Sequence, residues 1–160
     1  MIRPAAADDA GAISAIYSYY VLNTAVSFEE VAPSATTMAE RMAQSLEWIV
    51  AVEQNSIVGF ACAVPWKARS AYRHSAEISV YLREGCQSRG WGRLLYESLI
   101  LRLSARGIHQ VMGGVALPNA ASVRLHESLG FKKVAHFERV GQKFGQWWDV
   151  AYWQKSIADR

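Results

Sequence analysis

The apolar positions of the chain follow two spacings, one typical of helices and one typical of strands. Spacing of three and four residues predicts four helices, at residues 13–21, from 36 or 37 to about 44, at 91–103 and at 119–130. Asp8 or Asp9 can cap the first of these helices, because a short carboxylate accepts hydrogen bonds from free backbone amides. Alternation or short apolar runs predict seven strands, at residues 2–3, 48–52, 57–66, 74–82, 110–115, 131–137 and 146–154. The order β-α-α-β-β-β-α-β-α-β-β indicates an α/β chain with an antiparallel first half followed by a βαβ unit.

The strand predicted at residues 74–82 has two chemically different faces. Its alternation gives an apolar face with Ile78, Val80 and Leu82 and an opposite face with Glu77, Ser79 and Tyr81. A carboxylate on a central strand costs free energy unless it is solvated, paired or used in chemistry. Glu77 is therefore a candidate functional residue, and a glutamate that faces solvent or pairs with an arginine such as Arg73 is the structural alternative.

The composition favours one globular domain spanning residues 1–160. Hydrophobic residues make up 51% and charged residues 19% of the chain, which is enough apolar material for a core. The net charge is +3 without any run of five basic residues, which disfavours nucleic acid and suits a small anionic ligand. Cys62 and Cys86 form no CxxC motif, and no apolar segment is long enough to span a bilayer. Because no apolar signal region is present, we expect a cytoplasmic protein without membrane contact.

A glycine-bearing segment, residues 85–92, lies between a predicted strand and a predicted helix. Such a loop directs free backbone amides toward phosphate groups. A P-loop is excluded because Trp91 and Gly92 follow Gly90, where Lys and then Ser or Thr are required. A dinucleotide fingerprint is excluded because Leu95 stands where its third glycine is needed. The remaining pattern, Gln-x-x-Gly-x-Gly from residue 87, predicts either an anion site or a simple turn.

A second motif follows after one helix and one strand, in residues 117–131. Asn119, Ser122 and His126 are three and four residues apart, so they share one helical face and can line one ligand. Together the two motifs resemble those of the GNAT acetyltransferases, whose glycine loop holds the diphosphate of acetyl-CoA. The resemblance implies a mixed, twisted sheet of about seven strands flanked by about four helices, with acetyl-CoA and no metal between two splayed central strands, 74–82 and 110–115.

The resemblance also implies which residues hold acetyl-CoA. The backbone of Val80 and Leu82 is expected to pair with the pantetheine arm, and a backbone N–H near Val80 or Tyr81 to stabilise the oxyanion. Arg89 and Arg93 are expected to add positive charge near the diphosphate. The expected contacts of acetyl-CoA are Val80, Tyr81, Leu82, Gln87, Ser88, Arg89, Gly90, Trp91, Gly92, Arg93, Asn119 and Ser122.

Four further likenesses are to the phosphinothricin acetyltransferases within that family. His126 stands where many GNAT enzymes have tyrosine and this subfamily has histidine. The other three are the segment 65–72, the pairs Ala76-Glu77 and Val80-Tyr81, and the tail containing Trp147, Asp149, Val150, Trp153 and Gln154. This likeness implies that an amine attacks the acetyl thioester directly. The implied acceptor is the α-amine of a small amino acid or analogue, such as phosphinothricin, methionine sulfoximine or methionine sulfone.

By the same resemblance, Glu77 is the expected general base, acting directly or through a water, and His126 is a second catalytic residue. A histidine bonded to a backbone carbonyl is the structural alternative for His126. The expected acceptor contacts are Phe28, Glu29, Lys67, Arg69 and Tyr72. A solvated basic turn is the structural alternative for residues 67–72.

The family resemblance further suggests a homodimer. Two other functions stay open at this point. A protein N-terminal acetyltransferase would need an open peptide groove, which the aromatic residues of the 66–72 loop and the tail disfavour. A non-catalytic acyl-CoA-binding module would bind CoA without transferring the acetyl group, and the presence of Glu77 and His126 disfavours it.

Overall fold

A computed structural model describes residues 1–158, so residues 159 and 160 of the expected domain lie outside the described part. Within residues 1–158 the chain forms seven strands and four α-helices, with short 3-10 turns at Ala7–Asp9 and Ser70–Tyr72. The elements are β1 (Ile2–Pro4), α1 (Ala10–Asn23), α2 (Ala35–Gln44), β2 (Glu47–Glu53), β3 (Ser56–Pro65), β4 (Ser75–Leu82), α3 (Trp91–Ala105), β5 (Gln110–Leu117), α4 (Ala120–Ser128), β6 (Lys132–Lys143) and β7 (Gln146–Ser156). Their order is the one that the hydrophobic spacing predicts.

Polar residues set the starts of two helices. The Ser34 hydroxyl accepts a hydrogen bond from the Thr37 amide at 3.1 Å and caps α2. The Asn119 side chain accepts one from the Ser122 amide at 3.1 Å and caps α4. Asp9, expected as a possible cap of α1, instead accepts the Ala6 amide and pairs with Arg3.

Strand β6 is longer than predicted. The apolar pattern places its end at residue 137, but it continues to Lys143 and pairs with β7 up to Gln146. The continuation follows a bulge between Phe137 and Gly141, and most of residues 138–143 are exposed. Because this part of the strand has no buried apolar face, its hydrophobicity does not distinguish it from a loop.

The central strands part halfway along the sheet, whose order is β1-β2-β3-β4-β5-β7-β6. Parallel β4 and β5 pair only through Ser75–Gln110, Ala76–Val111 and Glu77–Met112. Beyond that point β4 stays paired with β3 as far as Leu82, and β5 stays paired with β7 as far as Leu117. The expected mixed sheet with splayed central strands is thereby confirmed, and Glu77 is the last paired residue of β4 before the gap.

Helices cover both faces of the sheet. Leu95, Leu99 and Leu103 of α3 pack with Ile78 on one face, while Ile13 and other apolar residues of α1 and α2 pack over Phe60 on the other. The rings of Tyr17, Tyr20 and Phe60 surround Tyr81, which places the Glu77–Ser79–Tyr81 face of β4 on the side of α1. No helix within residues 1–158 combines the length and the apolar character needed to cross a membrane.

Candidate active site

Three adjoining cavities surround the point where β4 and β5 part. The gap cavity, about 50 Å³, lies between the two strands. The central cavity, about 480 Å³, lies on the α1 side and shares with the gap cavity the residues Val26, Ser79, Tyr81, Gly114 and Ala116. The outer cavity, about 650 Å³, shares with the central cavity the residues Phe28, Val150 and Tyr152. A ligand in the gap can therefore touch one in the central cavity.

Beyond Glu77, alternate residues of β4 turn their backbone toward the gap. The Ile78 carbonyl lies 3.4 Å from the Tyr96 hydroxyl, and the Leu82 carbonyl accepts a 2.5 Å hydrogen bond from the Tyr20 hydroxyl. Because every second residue of a strand directs its backbone groups to the same side, the N–H and C=O of Val80 also face the gap. This arrangement suits an extended ligand that forms hydrogen bonds with the backbone of Val80, as expected for the pantetheine arm. The Leu82 carbonyl, in contrast, already accepts the hydrogen bond from the Tyr20 hydroxyl.

The segment Gly85–Gly92 forms a tight loop at the start of α3. Gly85, Ser88 and Gly90 have positive φ angles of 81°, 61° and 84°. Gly90 is the residue that caps α3, so the free amides of the first helical turn lie directly after it. The Gln87 side chain accepts a 2.9 Å hydrogen bond from the Gly85 amide and holds the loop closed. A helix N-terminus with a glycine loop is a suitable site for a diphosphate.

The two arginines expected at the diphosphate are engaged with carboxylates. Arg89 pairs with Glu53 at 2.7 Å, and Arg93 pairs with Glu97 one helical turn away at 2.8 Å. Both pairs are exposed and therefore contribute little free energy, so either arginine can exchange its partner for another anion. Trp91 opens α3 and packs on the main core, which anchors the helix end that follows the loop.

Glu77 lines the central cavity next to the gap. Burial raises the pKa of its carboxyl, while hydrogen bonding from the Tyr152 hydroxyl and the positive charge of Lys67 act in the opposite direction. Tyr152 reaches this position because β7 lies beside β5, with Tyr152 opposite Gly114. A Cβ at residue 114 would lie 3.0 Å from the Tyr152 ring, so the glycine makes room for that ring.

His126, on α4, is buried with 2% of its surface exposed. Its Nδ1 lies 2.7 Å from the Ser122 carbonyl oxygen. Because a carbonyl only accepts, Nδ1 carries the hydrogen and Nε2 holds a lone pair in the neutral ring. Burial lowers the pKa of His126, with the Ser122 carbonyl acting in the opposite direction. The ring is therefore neutral near pH 7 and can accept a proton at Nε2, which lies 3.4 Å from the Tyr96 hydroxyl.

The surroundings of His126 leave little freedom to its ring. Tyr96, Phe131 and Trp153 enclose it on three sides. Gly113 also lies against the ring, since an added Cβ there would be 2.3 Å from Nε2. The hydrogen bond from His126 to a backbone carbonyl, which a purely structural histidine would make, is present. The His126 ring also lines the gap cavity, together with Asn119 and Ser122.

Phe28 and Glu29 lie in the connection between α1 and α2, residues 24–34, which we call the covering loop. Phe28 lines both the central and the outer cavity. Glu29 accepts hydrogen bonds from Arg41 at 2.6 and 2.9 Å and a further one from the Tyr17 hydroxyl. The Arg41 hydrogen bonds are the main reason that the pKa of Glu29 lies below its usual range. Glu29 is thus an ionised residue whose partners hold the loop.

Of the three residues expected from the 66–72 loop, two line the outer cavity. Lys67 and Tyr72 do so, and the Lys67 ammonium lies 5.0 Å above the Trp66 ring. Arg69 lies exposed at the start of the 3-10 turn, outside the lining of the central and outer cavities. The loop is therefore partly a wall of the cavity and partly the solvated turn of the structural alternative.

Sequence reasoning missed four residues that complete these surroundings: Tyr152, Tyr96, Arg41 and Lys143. Tyr152 lies inside the tail whose likeness to the subfamily was noted, and that likeness could have marked it. Tyr96 follows Leu95 on α3, and hydrophobic spacing alone indicates only that a residue is buried, not that it lines a cavity. Arg41 and Lys143 are isolated basic residues in the sequence. Within residues 1–158, no group of three His, Cys, Asp or Glu side chains is placed to hold a metal ion.

Comparison with known sequences identifies the family. Residues 2–152 match the acetyltransferase (GNAT) domain. The phosphinothricin N-acetyltransferase of Streptomyces coelicolor is 36% identical to this chain, and the match covers 98% of the chain and 95% of the relative. The L-methionine sulfoximine/L-methionine sulfone acetyltransferase of Salmonella typhimurium is 35% identical, with 98% and 94% covered.

Solved structures agree with the sequence relatives. A GNAT superfamily phosphinothricin acetyltransferase from Sinorhizobium meliloti, in complex with acetyl-CoA, superposes with a TM-score of 0.95 at 31% identity, covering 99% of this chain and 88% of that one. A ribosomal-protein-alanine N-acetyltransferase from Brucella melitensis superposes with a TM-score of 0.93 at 34% identity, covering 98% and 99%. The chain therefore belongs to the GNAT acetyltransferase family and is an acetyl-CoA-dependent N-acetyltransferase.

Proposed function

We propose that the enzyme acetylates the α-amine of a small amino acid or analogue with a tetrahedral polar tip, of the phosphinothricin, methionine sulfoximine or methionine sulfone type. The observation that carries this proposal is the position of Glu77. The Glu77 carboxyl has a raised pKa and lies in the wall of a cavity large enough for a small molecule. Glu77 is also the last residue of β4 that pairs with β5 before the gap. The names of the two sequence relatives support the acceptor class.

Glu77 is the general base of this proposal. Acetyl-CoA supplies an activated thioester, and the acceptor nitrogen forms the new C–N bond as the C–S bond breaks. The acceptor must first lose a proton, because an ammonium ion has no free electron pair. Glu77 takes up that proton directly or through a water, and its raised pKa makes it a stronger base than an exposed carboxylate. The C–S bond breaks to leave a CoA thiolate. On the gap side, His126 Nε2 can take the second proton from the attacking nitrogen and return it to that thiolate.

The acceptor is recognised by the walls of the central and outer cavities. Lys67 and Tyr72 offer a cation and a hydroxyl to the polar tip of the acceptor. Arg69 lies exposed on the same loop and outside the lining of both cavities, so it is left out of these contacts. Phe28 covers the cavities, and we assign Glu29 to holding the covering loop through Arg41 and Tyr17.

Thiol release from acetyl-CoA tests the proposal. The purified enzyme is offered L-phosphinothricin, methionine sulfoximine, methionine sulfone, the common amino acids and a peptide. We expect turnover with the tetrahedral analogues, and we expect Glu77→Gln to lower kcat by about 10²–10⁴-fold because the general base is lost. Glu40→Gln, which changes an exposed glutamate of α2, is the matched control and keeps wild-type rates.

Three other outcomes would overturn this assignment or part of it. Turnover of the peptide alone would move the enzyme to protein N-termini, the activity named for the Brucella melitensis protein. Binding of acetyl-CoA without thiol release for any acceptor would leave a CoA-binding module. Equal rates for Glu77→Gln and wild type would remove Glu77 from the role of base.

We further propose that the enzyme is a cytoplasmic homodimer. Five large apolar side chains are exposed on β6, β7 and the turn between them: Val134, Phe137, Val140, Phe144 and Trp147. Three of them, Val134, Phe137 and Val140, also line the outer cavity, so a second copy on this face would complete its wall. The two cysteines of the described chain are unpaired, which is usual for proteins of the reducing cytoplasm.

A further inference from the structure

Lys143, at the end of β6, is a buried lysine outside the reacting groups. Only 3% of its surface is exposed. Its Nζ donates hydrogen bonds to the Val21 carbonyl at 2.7 Å and to the Ser27 carbonyl at 2.6 Å. The same ammonium lies 5.1 Å from the centre of the Phe144 ring. Because a buried ammonium is costly without partners, this set of contacts indicates a specific structural task.

The two carbonyls that Lys143 binds lie in neighbouring segments, one at the end of α1 and one in the covering loop. Val21 belongs to the last turn of α1, where the free carbonyls and the helix dipole favour a cation. Ser27 lies in the covering loop, immediately before Phe28. Lys143 thus joins the β6–β7 hairpin to the end of α1 and to the first part of the covering loop.

Gly141 adds a second contact between the hairpin and this loop. Gly141 and Lys143 are two residues apart on β6, and both are buried on its inner face. The Phe28 ring lies directly on Gly141, where an added Cβ would be 2.2 to 2.8 Å from three ring atoms. Any side chain at residue 141 would push the Phe28 ring away from its present position.

Two carboxylates of the covering loop lie near the Lys143 ammonium. Burial lowers the pKa of Lys143, and the nearby carboxylates of Glu30 and Glu29 act in the opposite direction. Both glutamates belong to the covering loop, and Glu29 is itself held by Arg41 of α2. The covering loop is therefore attached to three elements: to the hairpin by Lys143, to α2 by Arg41, and to α1 by Tyr17 and by the Ser14 hydroxyl, which donates to the Pro33 carbonyl.

We propose that Lys143 is a positioning residue that fixes the covering loop, so that Phe28 closes the central and outer cavities over the acceptor. This inference rests on the proposed function, since it assumes that the acceptor occupies those cavities. Lys143 itself touches neither the gap cavity nor the glycine loop, and the covering loop through which it acts places four residues in the central cavity and one, Val26, in the gap cavity. The loss of Lys143 should therefore weaken acceptor binding and leave acetyl-CoA binding intact.

Lys143→Met tests the proposal, because methionine keeps the length of the side chain and removes the donors. We expect the KM for methionine sulfoximine to rise about tenfold, as for the loss of charge-assisted hydrogen bonds to a binding loop, with the KM for acetyl-CoA unchanged. Lys132→Met, at an exposed lysine that begins β6, is the matched control with wild-type constants. An equal rise of both KM values would show a general structural role and overturn the proposal.

Amide hydrogen exchange gives a second readout that needs no turnover. In Lys143→Met, exchange should accelerate about tenfold in residues 24–34, since a loop without its tether opens more often, and should stay as in wild type in β2 and β3. Unchanged exchange in residues 24–34 would overturn the tether. Faster exchange of β2 and β3 as well would show global destabilisation instead of a local tether and would equally overturn it.

Two further variants separate this inference from the proposed function. Gly141→Ala displaces the Phe28 ring without touching the ammonium, and we expect the same rise in acceptor KM. Phe28→Ala tests the acceptor cavity itself. An unchanged acceptor KM in Phe28→Ala would overturn the assignment of the cavity. A raised acceptor KM in Phe28→Ala together with wild-type constants in Lys143→Met would overturn only the role of Lys143.

Discussion

Burial and two neighbouring residues set the protonation of the Glu77 carboxyl. Burial raises its pKa, whereas the Tyr152 hydroxyl and the Lys67 ammonium stabilise the ionised form. A general base must be ionised to accept a proton, so the enzyme should lose activity as the pH falls through the pKa of Glu77. The acidic limb of the pH–rate profile therefore reports on these neighbours.

Replacing Tyr152 by phenylalanine should move that limb. The variant removes the hydroxyl that favours the ionised carboxylate, so the pKa of Glu77 rises further and the limb of kcat/KM shifts to higher pH. The measurement is the rate of thiol release at low acceptor concentration, over a pH range of about 5 to 9 that brackets neutrality. Tyr19→Phe, on α1 and outside the three cavities, is the control. If the acidic limb of Tyr152→Phe lies at the wild-type pH, the Tyr152 hydroxyl does not affect the pKa of the general base.

At the scale of single elements, the junction of the glycine loop and α3 has a demanding geometry. Gly90 caps α3 with φ 84° and ψ −4°, a left-handed conformation that other residues adopt only at a cost. No atom lies within 4 Å of a Cβ added there. A substitution at Gly90 would therefore strain the backbone alone, without a steric clash.

Gly90→Ala should consequently affect the loop and the acetyl donor together. We expect a loss of about 1–2 kcal/mol in the free energy of unfolding, the cost of a left-handed conformation for a residue with a Cβ. Relaxation of that strain would misplace the amides of the first turn, so the KM for acetyl-CoA should rise while the acceptor KM stays constant. Denaturant unfolding and initial rates provide the measurement.

Gly11→Ala is the control for this change. Gly11 lies in α1, and a Cβ added there would meet open space. Alanine at this position should therefore raise the free energy of unfolding by about 0.5–1 kcal/mol. A Gly90→Ala enzyme with the acetyl-CoA KM of wild type would count against a diphosphate site at this helix end.

For the whole molecule, the exposed apolar face of the β6–β7 hairpin is the feature that a single copy leaves unexplained. Trp147 is 53% exposed there and lies outside the lining of the outer cavity. Several large exposed apolar side chains on one hairpin are a common feature of protein interfaces. The proposed homodimer would bury it and bring a second copy to the outer cavity.

Light scattering during size-exclusion chromatography can decide this point. The chain has a mass of 17.8 kDa, and we expect the wild type to elute with twice that mass. Trp147→Asp should give monomers, because it places a charge in the apolar interface. Leu101→Asp changes a 73% exposed apolar residue on α3 and should leave the dimer intact. A wild-type enzyme of monomer mass at assay concentration would refute the homodimer.

The elements and the family were accessible from sequence. Hydrophobic spacing predicted the order of all eleven elements, because most of them bury one face and so repeat apolar residues at their own period. Asn119, Ser122 and His126 were placed on one helix face by their spacing, and the structure puts all three at the gap cavity. The misplaced end of β6 and the misassigned Asp9 cap both involve polar residues, whose partners lie elsewhere in space.

The sequence by itself therefore determined the helices and strands, the glycine loop and the likeness to acetyltransferases, since these depend on residues close together in the chain. Only the tertiary structure decided that Glu77 ends the pairing of β4 with β5, and that Tyr152 adjusts its protonation. Only the tertiary structure also showed that Lys143 holds carbonyls 116 and 122 residues away. Such contacts arise from the packing of distant elements, and no local period or motif spacing records them.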